Sequence, residues 1–200
     1  MAILPTIVLL VVILSACNTD APAPTPKPRA YPKVDYPTYT YQTFDEDYCH
    51  FTFAYPSYAR IEQDQYFFGE KPAHPCWFDL YIPAFDSRIY CSYVEPGAGK
   101  TIDELRADAF EMADYHTKRA NYIDELRIDR KDEAQVEGFA FAIEGPAATP
   151  FQFYLTDGSD HFFRASLYFN TQVQPDSLKP IYEFIRKDIF QMIETFEWSD

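Results

Sequence analysis

Phe151-Gln152-Phe153-Tyr154-Leu155-Thr156-Asp157-Gly158-Ser159-Asp160-His161-Phe162-Phe163-Arg164-Ala165-Ser166-Leu167-Tyr168-Phe169 is the stretch on which the fold turns. Asp-Gly between two alternating runs is a strong hairpin signal. Within the first run Phe151, Phe153 and Leu155 share one face, and Gln152, Tyr154 and Thr156 the other. Upstream, residues 136–144 alternate as a strand that ends at Gly145-Pro146. Further back, residues 49–55 alternate until Pro56 stops them, and residues 58–61 resume after a bend. Residues 77–82 and 88–93 read as a hairpin closed by Pro83-Ala84-Phe85-Asp86-Ser87.

Two helices complete the pattern. Thr101-Ile102-Asp103-Glu104 is a capping box, with the threonine hydroxyl and the glutamate reciprocally satisfying first-turn amides. Ile102, Leu105, Ala109, Met112, Ala113, Ala120 and Ile123 keep the helical step, and His116 falls on the same stripe. Pro175-Asp176-Ser177 opens the last helix, where Pro180 is tolerated in the first turn. Its apolar side runs from Ile181 to Phe196 and is interrupted by Asp188, a rim residue or a buried acceptor. Three strands, a helix, a strand, a hairpin and a helix define an α+β domain: an antiparallel sheet covered by two helices.

The amino terminus reads as a lipoprotein signal. An apolar run, residues 3–14, is too short for the roughly 20 residues of a spanning helix and suits a signal-peptide core. Ser15 and Ala16 are the small residues before the cut, and Cys17 would carry the lipid (diacylglycerol, with palmitate as the added acyl chain). Two or three acyl chains hold a protein stably where one does not. Met1-Ala2 carries no Lys or Arg, so only the terminal amine supplies the usual positive start. The expected organisation is a signal at 1–16, a lipidated, proline-rich linker at 17–43, and a folded domain at 44–200. The prolines between 22 and 32 make the linker a semi-rigid spacer, and the aromatic segment 31–42 reads as an extended arm across the domain.

Export sets how the other cysteines are read. In an oxidising compartment Cys49 and Cys76, both at strand edges beside turn-forming residues, are the expected pair, and Cys91 is a small buried side chain. His50 and His74 flank that pair, but neither C-x-x-C nor H-x-x-x-H spacing occurs, so no metal site is expected. A net charge of −14 argues against nucleic acid and against electrostatic attachment to anionic lipids. Membrane contact must then come from the lipid.

No nucleophile elbow, Walker loop, H-E-x-x-H or G-x-G-x-x-G is present, and six glycines are few for phosphate-cradling loops. The expectation is a protein that is not an enzyme, with no catalytic residues and no cofactor. Two other readings stand beside it. One is an envelope enzyme acting on glycan through His116 or His161 and a carboxylate. The other is a cation or ligand sensor around Asp157 and Asp160, which also read as plain turn residues.

Several stretches together resemble the gliding-motility lipoprotein family GldD of Bacteroidetes, from about Phe44 to Trp198. They are residues 49–61, Pro75-Cys76-Trp77-Phe78, His116-Thr117-Lys118, residues 152–157, His161-Phe162-Phe163-Arg164, Leu167-Tyr168-Phe169-Asn170, Asp176-Ser177-Leu178 and Glu194-Thr195-Phe196-Glu197-Trp198. Cys91 and Ala165-Ser166 depart from the pattern. The resemblance implies a cell-envelope lipoprotein, membrane-anchored and facing the periplasm. It further implies a role in gliding motility and the linked type IX secretion machinery, with other envelope proteins as partners. The layout also resembles the PsbP-like α/β/α sandwich. His116, His161, Arg164 and Asp157 lie in or beside these stretches and are the candidate partner or pocket residues.

Overall fold

A computed structural model of the chain describes residues 33–63, 74–97 and 99–199. The chain divides into two units, Met1–Val34 and Asp35–Asp200; the signal segment, Cys17 and almost all of the proline spacer lie outside the described residues. The second unit is built on antiparallel pairing throughout.

Seven strands form the large sheet. They are β3 (Arg60–Gln63), β4 (Phe78–Ile82), β5 (Ser87–Val94), β6 (Tyr122–Arg130), β7 (Val136–Glu144), β8 (Phe151–Thr156) and β9 (Phe162–Phe169), in the order β3-β4-β5-β9-β8-β7-β6. The Asp157-Gly158 hairpin joins β8 to β9, with Gly158 at φ 90°. A second sheet of β1 (Tyr41–Asp45), β2 (Phe51–Pro56) and β10 (Glu197–Trp198) lies in the order β1-β2-β10. Helix α1 (Ile102–Asp114) starts in the capping box, with both reciprocal bonds formed. One turn, α2 (Lys131–Ala134), links β6 to β7, and α3 (Pro175–Glu194) leads to β10.

All six residues of β8 are buried, because both faces of the sheet are covered at this strand. Phe151, Phe153 and Leu155 join the main core with Phe51, Phe53, Phe163, Phe196 and the α3 residues Ile185, Ile189, Met192 and Ile193. Tyr154 faces a smaller cluster under α1, with Phe141, Phe162, Leu105 and Ala109. The Cys49 and Cys76 sulfurs are bonded, with Cα atoms 5.6 Å apart, and Cys91 is a buried free thiol.

Two sequence expectations are corrected. The helical stripe does not reach Ile123: α1 ends at Asp114, a 3-10 turn follows over Tyr115–Lys118, and Ile123 lies in β6. The three-residue step from Ile123 to Leu126 imitates a helix in what is an edge strand of mixed burial. The domain does not begin at 44, since β1 starts at Tyr41; only Phe44 of its five residues is buried, so no alternation marks it. The expected antiparallel sheet covered by two helices is what forms, with the small β1-β2-β10 sheet added on the α3 face.

Gly138 in β7 faces Leu155 across the β7–β8 ladder, and a Cβ there would lie 1.9 Å from the Tyr154 carbonyl oxygen. Neither strand can yield, because both are held in ladders on either side. Gly138→Ala is therefore expected to destabilise by at least about 2 kcal/mol, a fall of roughly 5 °C or more in melting temperature. A thermal melt of the variant within 1 °C of the parent would contradict the packing described.

Candidate functional site

The strand registers place alternate residues of the large sheet on the α1 side. Ser92 pairs with Arg164, Tyr90 with Ser166, and Gln152 with Ser166 from the other neighbour. Helix α1 covers only one end of this face, where Phe110 sets its edge on Phe139, Phe141 and Tyr154. Beside it lies an open cleft of about 1030 Å³, bounded by Leu105, Ala109 and Met112 of α1 and by Tyr90, Phe162 and Tyr168 of the sheet. Such a volume is at the upper end of ordinary ligand pockets. Met112 continues the apolar stripe of α1 but is 44% exposed on the cleft wall.

Arg164 lines this cleft. Its Nη2 donates to Gln152 Oε1 at 2.8 Å, and its Nη1 contacts Met112 Sδ. Gln152 is 2% exposed, and its Nε2 has no acceptor among the described residues. Desolvation by burial lowers the Arg164 pKa from its usual range, opposed by Tyr168 and Asp108. The carboxylates lining the cleft are engaged elsewhere. Asp79 pairs with Arg88 at 3.2 Å, Asp108 with Lys100, and Glu95 faces His50 and His74 at 3.9 and 3.7 Å.

A second cluster gathers three histidines. Tyr93 Oη and His161 Nδ1 are 2.5 Å apart, and the His161 ring stacks on Trp198 and His50 at 5.2 and 5.8 Å. His74 meets Tyr93 edge-on at 4.9 Å. The Cys76 N–H donates to His74 Nδ1 at 3.2 Å. In the neutral ring the proton then sits on Nε2, which points at Glu95 and offers no lone pair to a metal. Among the described residues no group of three His, Cys, Asp or Glu is arranged to hold a metal ion.

The candidates from the sequence thus part company. Arg164 stands on the cleft. His161 belongs to the aromatic cluster, and among the described residues neither ring nitrogen pairs with a carboxylate. His116 sits half-buried in the 3-10 turn after α1, where Arg164 is its charged neighbour. Asp157 Oδ1 accepts the backbone N–H groups of Ser159, Asp160 and His161 at 2.9, 2.9 and 3.0 Å, which is turn construction. Gln152 and Met112 were not singled out. The signal for Gln152 was a lone amide on the same hairpin face as Arg164, one strand away.

Fold and cleft together define an α+β domain with a recessed surface and no acid–base or metal constellation among the described residues. The sequence profile of the family described as gliding motility lipoprotein GldD matches residues 21–198, and the chain belongs to that family. Membership makes it a membrane-anchored lipoprotein of the cell envelope with a part in gliding motility. No curated protein matches the chain. The solution structure of cyanobacterial PsbP (CyanoP) from Synechocystis sp. PCC 6803 is similar at a TM-score of 0.49 and 9% identity, over 81% of this chain and 94% of that one.

Burial lowers the pKa of His74, opposed by Glu95 and aided by His50, and burial followed by Arg164 lowers that of His116. The folded state therefore holds off protons that the unfolded chain accepts below the ordinary value of 6.5. Stability from these two groups is full above that value and is lost as pH falls through it. The melting temperature is expected to drop between pH 7.5 and pH 5.5, and to drop less in the His74→Gln, His116→Gln double variant. Equal slopes in the two proteins would show that other groups set the dependence.

Proposed function

We propose that this chain is an accessory, protein-binding component of the gliding machinery and of the linked type IX secretion apparatus. Lipid on Cys17 holds it at the membrane facing the periplasm, and the proline-rich stretch that follows Cys17 spaces the domain from the bilayer. It performs no catalysis; it works by docking a protein segment beside α1. The observation that carries this reading is the cleft itself. One face of the large sheet is closed by α3 and the small sheet, while the other is left open over about 1030 Å³ next to a single helix. Its exposed rim holds Tyr90 and Met112, large side chains of the kind that anchor partners.

Deleting the gene in a gliding host is expected to abolish spreading, and full spreading without it would reject the role. In the complemented strain, a photocrosslinking residue at Met112 is expected to give one discrete adduct with an envelope protein. The same residue at exposed Asp132, on the α2 turn, is expected to give none. Identical patterns from both positions would remove the cleft from the interaction.

A further inference from the structure

Arg164 is the one cleft-lining cation that the described residues leave without a carboxylate within 4 Å. A guanidinium offers five N–H donors in a fixed fork. Here one Nη2 donor goes to Gln152 Oε1, and Nη1 meets only the thioether of Met112, a weak acceptor. The remaining donors have no protein acceptor among the described residues, and the cleft that Arg164 lines is also walled by Leu105, Ala109 and Phe162. Asp108, the acid whose charge reaches Arg164, is already bonded to Lys100. A partly desolvated cation with no counter-ion costs stability unless something outside the chain completes it. Gln152 explains how the fork is held: it is buried, and its oxygen fixes one arm from behind.

We propose that the cleft reads a carboxylate on an apolar segment of the partner protein, with Arg164 as the residue that binds it and Gln152 as the residue that positions Arg164. This rests on the reading that a partner segment docks in the cleft, and it names the chemistry of that segment. A planar carboxylate matches the guanidinium fork with two parallel bonds, which are shorter and stronger than neutral ones. The apolar wall then takes the side chains next to the carboxylate. Met112 is displaced from Nη1 at little loss, since a thioether holds a guanidinium weakly.

The full chain in detergent would be titrated with three fluorescein-labelled hexapeptides by fluorescence polarisation. They are Gly-Ser-Leu-Phe-Val-Leu as the free acid, the same peptide as the amide, and an amide with Glu in place of the last Leu. The free acid or the Glu peptide is expected to bind at least about tenfold more tightly than the plain amide, and which of the two leads tells a chain terminus from a side chain. Arg164→Gln is expected to abolish the preference, and Arg164→Lys to keep part of it. The Arg164→Gln melting temperature is expected to be unchanged or higher, because a cation without a counter-ion has been removed. The His116 pKa, followed by NMR, is expected to rise when the carboxylate binds, because that carboxylate offsets Arg164.

Equal binding of all three peptides, no binding by any at about 1 mM, or a preference that survives Arg164→Gln would overturn the inference. So would a fall in the Arg164→Gln melting temperature, which would make Arg164 a structural residue. Decanoate displacing the acid peptide at equal concentration would put a lipid carboxylate there instead, and the peptide assignment would fall. If the peptides show no preference but the Met112 crosslink persists in Arg164→Gln, the carboxylate chemistry is wrong while the docking reading stands. Loss of the crosslink from the parent protein would end both.

Discussion

The packing of Phe51 is the constraint from which the architecture follows. Its ring is fully buried, with centroids of Phe163 at 5.0 Å, Phe196 at 5.4 Å and Tyr93 at 5.5 Å. These neighbours come from β9, the segment after α3, and β5, so one side chain of β2 joins the small sheet to the large one. Aromatic pairs at such distances add to the burial of their large surfaces. The disulfide from Cys49 to Cys76 anchors the chain two residues before Phe51. Once β2 is fixed, α3 and β10 have one place to go, and one face of the large sheet is fully used. Among the described residues the opposite face has the 13 residues of α1 to cover seven strands. An uncovered cleft is therefore a geometric outcome of how the core is spent, not an added feature.

Helix α3 also fixes residues 36–41, at the start of the second unit. Tyr36 and Tyr39 pack on Phe184 of α3 with centroids 4.9 and 4.5 Å away, and Tyr39 Oη donates to the Phe184 carbonyl. Tyr41 Oη donates to Asp188 Oδ1 at 3.0 Å, and Tyr58 Oη bonds the other oxygen. Asp188 is 2% exposed and breaks the apolar stripe of its helix. Burial raises its pKa, and the two phenols oppose that rise by satisfying the charged form. A buried carboxylate is tolerable only when so bonded. Asp188 thus ties β1 and the turn before β3 to α3.

Local signals carried most of the fold and less of the site. The Asp157-Gly158 hairpin, the Thr101 capping box and the last helix are visible because turn chemistry, capping and periodicity each act within a few residues. Strand β6 was hidden because edge strands carry few buried side chains, and its Ile123 and Leu126 match a helical step. β1 and β10 were hidden for a related reason. They exist by pairing with β2: β1 with few buried side chains of its own, and β10 across a separation that no local pattern encodes. Arg164 was visible as a motif residue, yet its meaning depends on Gln152 and Met112, which only the β8–β9 register and the end of α1 bring to it.

Charge placement separates this cleft from the rest of the surface. The chain carries 31 acidic against 17 basic residues, so carboxylates are abundant and any arginine has many prospective partners. Arg88, Arg106 and Arg130 behave as such a composition requires, each meeting an acid at its own place in the fold. Arg164 is more deeply desolvated than a surface arginine, and by that measure it needs a counter-ion more, yet Asp79 and Asp108 beside its cleft are bonded to Arg88 and Lys100 instead, and Glu95 faces the histidines. A fold selected for stability alone would exchange one of those pairings for Arg164 or replace it with an apolar residue. Local rules broken without compensation inside the chain are where function is expected. The Arg164 guanidinium, unmatched by an acid among the described residues, is such a break, on the sheet face that α1 covers in part.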